Sequence, residues 1–205
     1  MVNFLEEFGL QSELKGTSRM SLLNGLGEVV DKEKVYTGMF EKGLLKSGSI
    51  CNKRLLMTGN FKVGKLHGLG RKQYFDKNNT LVEGHFKGNR CYGWVIKRDS
   101  TGIKELGYYK NDILKWGLVT NLNSIKIGYY SKSKQLTEIG ISYEKSKKNI
   151  IKFGNFKHGK LDTDNGIKII NDVFYEGIFK NGHFTGKKSL TNIKNKQILL
   201  HRSIH

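Results

Sequence analysis

Met57-Thr58-Gly59-Asn60-Phe61-Lys62-Val63-Gly64-Lys65-Leu66-His67-Gly68-Leu69-Gly70 is the stretch whose reading decides the fold. It reads as an extended segment, a tight glycine turn and a second extended segment. Its core is Gly-x-aromatic, a turn glycine three residues later and a further glycine pair. The same core returns as Gly38/Phe40, Gly59/Phe61, Gly84/Phe86, Gly107/Tyr109, Gly128/Tyr130, Gly154/Phe156 and Gly177/Phe179. Successive glycines of these pairs stand 21, 25, 23, 21, 26 and 23 residues apart. A period held over seven units is an internal repeat, and a repeat governs the fold before any local reading does.

Alternate residues of a strand share a face, so Tyr36, Gly38 and Phe40 point one way. The glycine leaves room for an aromatic of the neighbouring strand to lie across it. A column of such aromatics would be the core, in place of the two-layer core of a compact domain. Gly43, Gly64, Gly159 and Gly182 fall where hairpins must turn, and glycine accepts the positive φ required there. Upstream, Asn24-Gly25-Leu26-Gly27-Glu28-Val29 matches the back half of a unit, as in Leu66–Gly70, so the array begins with a degenerate copy near Lys15.

Tyr-x-Gly-x-Phe-x-x-Gly-x-x-x-Gly, carried best by Met57–Gly70 and Tyr175–Gly186, resembles the MORN repeat (membrane occupation and recognition nexus). The resemblance covers about residues 20–190. It implies an all-β fold with one β-hairpin per repeat: about seven hairpins stacked into an elongated, twisted, single-layer antiparallel sheet. It also implies a scaffold, since proteins of this kind commonly sit in cytoskeletal, ciliary and organelle-junction assemblies.

The expected organisation is a helical segment over 1–15, the repeat array over 16–190 and a basic tail over 191–205. Within the first, residues 3–13 read as a short helix with Asn3 as cap and Glu6 three positions on. That helix would cover the first sheet edge or dock a partner. The tail carries Ile198, Leu199 and Leu200 among basic residues and would cap the last strand or dock as a helix.

Repeats four to six depart from the pattern. Two residues before the key glycine, the other repeats have Tyr36, Met57, Val82 and Tyr175, whereas these have Glu105, Lys126 and Lys152. One residue before it, Thr37, Thr58, Glu83 and Glu176 give way to Leu106, Ile127 and Phe153. Opposite parity means opposite faces. The back face of the middle repeats is therefore apolar, made of Leu106, Tyr108, Ile127, Tyr129 and Phe153, and it calls for a cover. Either the protein's own tail or a partner would supply it.

A lysine follows the core aromatic in five repeats: Lys62, Lys87, Lys110, Lys157 and Lys180. At two strands per repeat these stand roughly 10 Å apart along a rim. They would blunt the sheet edge, or recognise an anionic surface such as lipid, an acidic protein tail or RNA. RNA is the weakest of these, because the aromatics that would stack on bases are committed to the core.

The chain has 205 residues, 25 glycines, no proline and a formal charge of +18. No apolar run approaches the roughly 18 residues that span a bilayer, and the acidic start Met1–Glu7 reads as neither secretory leader nor transit peptide. Cys51 and Cys91 make no disulfide framework. A cytoplasmic protein is expected. No metal-ligand spacing, phosphate loop or nucleophile elbow is present, and flat hairpins offer no deep pocket. No cofactor, metal, catalytic residue or small-molecule substrate is expected. The function read from the sequence is a non-enzymatic scaffold subunit of a cytoskeletal, ciliary or organelle-associated assembly. Peripheral binding to anionic phospholipid or other acidic surfaces is the alternative, and homodimers are compatible with such a sheet.

Overall fold

The computed structural model describes residues 14–15, 23–186, 190–192 and 197–199. Among them there are strands and turns but no helix. The helix expected over 3–13 lies outside the described residues. The chain divides into two units, Met1–Ile103 with Tyr109–Asp112, and Lys104–Tyr108 with Ile113–His205.

The first unit holds β1 (Leu14–Lys15), β2 (Gly25–Asp31), β3 (Lys34–Glu41), β4 (Leu44–Cys51), β5 (Leu55–Lys62), β6 (Lys65–Tyr74), β7 (Leu81–Lys87) and β8 (Arg90–Asp99). β9 (Gly102–Lys110) is shared between the units. From β2 to β8 each strand pairs antiparallel with the next, and β1 runs parallel beside β2.

The second unit continues with β10 (Ile113–Asn121), β11 (Ser124–Tyr130), β12 (Leu136–Glu144) and β13 (Ile150–Lys157), again antiparallel in chain order. The return strand of the sixth repeat is split into β14 (Lys160–Leu161) and β15 (Thr163–Ile170), both beside β13. β16 (Val173–Lys180) is flanked in the same way by β17 (His183–Phe184) and β18 (Leu190–Asn192). β19 (Gln197–Leu199) pairs with β18, so the described part of the tail caps the last repeat by edge pairing.

All seven repeat aromatics are at most 5% exposed: Phe40, Phe61, Phe86, Tyr109, Tyr130, Phe156 and Phe179. The repeat glycines stand directly opposite one another. In the first unit Gly27, Gly38, Gly48, Gly59, Gly70 and Gly84 form one row, which ends on the buried Val95. In the second, Gly117, Gly128, Gly140 and Gly154 pair across, as do Gly166 and Gly177. The row exists because the backbones touch. A Cβ on Gly38 would lie 2.1 Å from the Ser47 carbonyl oxygen, and one on Gly117 would lie 2.2 Å from that of Leu106.

What lies over these glycines differs from the sequence expectation. It is an aromatic at Gly166, where Phe179 would meet a Cβ at 2.8 Å. At several others it is a leucine from the far side of the turn. Leu66 Cδ1 would stand 3.1 Å from a Cβ on Gly59, Leu136 3.2 Å from one on Gly128, and Leu161 3.1 Å from one on Gly154. Leu23 stands in the same way over Gly27, at 3.1 Å. A branched aliphatic tip fits the narrow trough between two strands better than a flat ring, and the ring packs beside it. Leu45, Leu66, Leu114, Leu136 and Leu161 are all buried, each burial contributing roughly 1.5–3 kcal/mol.

The hairpin tips have two consecutive residues at positive φ, as in Lys42/Gly43, Val63/Gly64, Gly88/Asn89, Asn111/Asp112, His158/Gly159 and Asn181/Gly182. This is the turn that matches strand twist. The second turn residue then reaches back one repeat. Gly43 N–H donates to the Leu23 carbonyl at 2.9 Å, Asn89 to Leu66 at 2.9 Å, Asp112 to Cys91 at 3.1 Å, Gly159 to Leu136 at 3.0 Å and Gly182 to Leu161 at 2.7 Å. The side chains of Asn89 and Asp112 close the pair by accepting from the amides of Leu66 and Cys91, each at 2.7 Å. These five tips are thus each clasped to the preceding repeat.

Candidate functional site

The back face of the second unit is apolar across several strands. One row, strand to strand, is Leu118, Ile127, Ile141, Phe153 and Ile167. A second is Ile125, Tyr143, Ile151, Ile169 and Phe174, and Trp116 stands opposite Tyr129. Of the five residues read from the sequence, Tyr108, Ile127, Tyr129 and Phe153 are 37–41% exposed, and Leu106 is half-buried. Trp116, Ile139 and Ile141 enlarge the surface and are likewise exposed. They lie mostly on return strands, which lack the Gly-x-aromatic signature by which the outgoing strands were read; only pairing register exposes them. The register shift in β15 between Thr163 and Gly166 opens a depression of about 340 Å³ lined by Ile139, Phe153, Asn155, Asp164 and Asn165 among others.

The rim lysines stand where the repeat places them. Lys62, Lys87, Lys110, Lys157 and Lys180 each end a strand before a tip, and all are exposed. The structure adds their partners in register: Lys62 faces Lys65, Lys87 faces Arg90 and Lys157 faces Lys160. Like charges directly opposite one another destabilise a hairpin. Lys180 is the counter-example, lying 3.3 Å from Asp164 and 3.8 Å from Asp162.

On the front face, the charged departures of the middle repeats are accommodated individually. Glu105 is 8% exposed and ion-paired with Lys134. Lys152 Nζ meets Glu144 at 2.9 Å.

Among the described residues no group of three or more His, Cys, Asp or Glu could hold a metal. Cys91 is buried, and burial pushes its thiol from 9.0 up to about 11, away from the thiolate form that reacts. His158 lies in a hairpin turn, and His67 and His183 stand on strands just beyond one. No helix among the described residues is long and apolar enough to cross a membrane.

No protein-family model matches the chain, and no curated protein matches it significantly. The architecture defines the class: an all-β protein of consecutive antiparallel hairpin repeats.

Proposed function

We propose that this protein is a non-enzymatic scaffold of the MORN-repeat kind that holds a protein partner on the back face of its second unit. The observation that carries the reading is the exposed apolar surface around Ile127, Tyr129, Ile141 and Phe153. Contiguous surfaces of this sort mark interaction sites, and the depression beside Phe153 offers an anchor point for one partner side chain. The resemblance to MORN repeats supports a cytoplasmic subunit of a cytoskeletal, ciliary or organelle-associated assembly.

The test is recovery of partners by tagged protein from its own cells, compared with the Ile127→Ser/Phe153→Ser variant. Wild type should retain partners through a high-salt wash, and the variant should fold normally, by circular dichroism, yet lose them. Equal recovery by both would sink the reading.

A second reading has its own observation, the doubled cations at the tips. Lys62 with Lys65, and Lys87 with Arg90, make compact +2 sites suited to an anionic surface. This reading predicts salt-sensitive binding to vesicles containing phosphatidylserine, lost in Lys62→Gln/Lys87→Gln. Binding of that variant equal to wild type would remove it.

A further inference from the structure

The front face of the second unit carries a polar row that neither surface above uses. Across β11, β12, β13, β15 and β16 the residues directly opposite one another are Lys126, Ser142, Lys152, Lys168 and Tyr175. Neighbouring strands are about 4.8 Å apart, so Lys152 and Lys168 stand side by side, with Lys126 two strands from Lys152.

These lysines are not free surface charges. The Lys152 side chain keeps 19% of its exposure. Burial lowers the pKa of Lys168, and repulsion from Lys152 lowers it further. Glu144, bound to Lys152 at 2.9 Å, supplies one opposing carboxylate. Between Lys126 and Lys152 lies Ser142, 2% exposed, whose Oγ has no hydrogen-bond partner. A buried hydroxyl left unpaired costs stability, as does crowding like charges on one face.

The corresponding row of the first unit shows what such lysines do when they serve the fold. There Lys72 and Lys97 are separated by Val82. Lys72 Nζ donates to the Asn89 carbonyl at 2.6 Å and lies 5.4 Å from the Phe86 ring centroid, and Lys97 lies 4.5 Å from that of Tyr109. Lysine stems there cover aromatic core. In the second unit the row is denser in charge and contains an unsatisfied donor.

We infer that Lys126, Ser142, Lys152 and Lys168 form a binding site for a phosphate-class oxyanion. Three ammonium groups against the Glu144 carboxylate leave a local charge of +2, which matches a phosphate near its second ionisation at neutral pH. The Ser142 hydroxyl would donate one hydrogen bond and Lys126 and Lys168 the charge-assisted ones. The anion would end the repulsion within the row and satisfy the orphan hydroxyl. The phosphate could be free or carried on a lipid headgroup.

The experiment is thermal unfolding of the full chain at pH 7 in sodium phosphate against sodium chloride of equal ionic strength. The variants are Lys126→Gln/Lys168→Gln, Ser142→Ala and, as a control at exposed lysines of the first unit, Lys34→Gln/Lys77→Gln. Phosphate should raise the midpoint of wild type and of that control. The Lys126→Gln/Lys168→Gln variant should lose the shift, each lysine weakening binding on the order of tenfold. Ser142→Ala should melt higher than wild type in chloride, through removal of the unpaired hydroxyl, and gain less from phosphate. A shift that survives in Lys126→Gln/Lys168→Gln, or one that vanishes in the Lys34→Gln/Lys77→Gln control, would overturn the site. So would a wild-type midpoint unmoved by roughly 10 mM phosphate.

Sedimentation with phosphatidic acid vesicles assigns the source. Vesicle binding that depends on Lys126 and Lys168 upholds the site with a headgroup as ligand. A phosphate-dependent midpoint without such vesicle binding upholds it with free phosphate.

Discussion

The two units repeat the same front pattern and differ in the back row beside the glycines. In that row the first unit reads Glu28, Thr37, Ser49, Thr58, Arg71 and Glu83, where the second reads Leu118, Ile127, Ile141, Phe153 and Ile167. The polar row forms pairings of its own: Thr37 donates to Glu28 at 3.2 Å, and Arg98 pairs with Glu83 at 2.7 Å. The front is common to both, with a glycine row, buried aromatics and leucines over the glycines. The fold is specified by the front alone. This back row is free to vary, so its apolar character in the second unit is not demanded by the fold.

That comparison can be broken most decisively at the glycine rows. Gly38→Ala in the first unit and Gly117→Ala in the second drive a Cβ to 2.1 and 2.2 Å from carbonyl oxygens, at φ of +146° and +154°. Each should cost more than about 4 kcal/mol in chemical denaturation or prevent folding. Gly25→Ala, at φ +92° with nothing within 4 Å of its Cβ, should cost about 1 kcal/mol. Tolerance of one row and not the other would end the claim of a shared front.

Next in size is a difference at high pH. Cys91 occupies the buried position filled by Leu66, Leu114 and Leu161 in other repeats. Its thiol titrates near 9.0 when unfolded and near 11 when folded, burial being the main cause. The unfolded chain releases this proton first. The stabilisation is therefore complete below pH 9 and is lost as pH rises to about 11, a change of about 2–3 kcal/mol. Cys91→Val should flatten that part of the pH–stability curve. Tyr130, in the second unit, is also held above its ordinary 10.0 by burial and then by Glu105, so its loss begins later and should survive the Cys91 change.

A smaller gain is available at one tip. Val63 is a β-branched residue at φ 49° and 74% exposed, where the second unit has Asn181 at φ 50° in the same role. Val63→Asn should raise stability by about 1 kcal/mol in urea denaturation. The smallest stability effect is expected from transferring the back face. Thr37→Ile with Thr58→Ile should change unfolding free energy by no more than about 0.5 kcal/mol, while increasing self-association measured by light scattering. A large destabilisation would show that the back face also specifies the fold.

Much of the hairpin array was legible because its determinants are local and periodic. Gly-x-aromatic and the turn glycines state strand, face and turn within a few residues. The clasping leucines were not read, although Leu45, Leu66, Leu114 and Leu161 each fall five residues after the core aromatic. Leucine is common, and its position gains meaning only once the turn between is known. The same limit applied to the surfaces. Parity alone located Ile127 and Phe153, but Ile141 and Trp116 required strand register. So did the neighbourhood of Lys152, because Ser142 and Lys168 lie 10 and 16 residues away in sequence yet stand directly opposite it across the strands.

The backward clasp of the tips has a mechanical consequence. Gly182 holds Leu161, and Gly159 holds Leu136, but neither reaches a repeat beyond its neighbour. A chain pulled from its ends would therefore meet its hairpins in series, and each would peel only after the one outside it had yielded. Stretching should proceed in steps of one repeat, roughly 80 Å of released chain apiece. Each unit would behave under load as a row of separate links, shedding length a link at a time while the remainder keeps its shape.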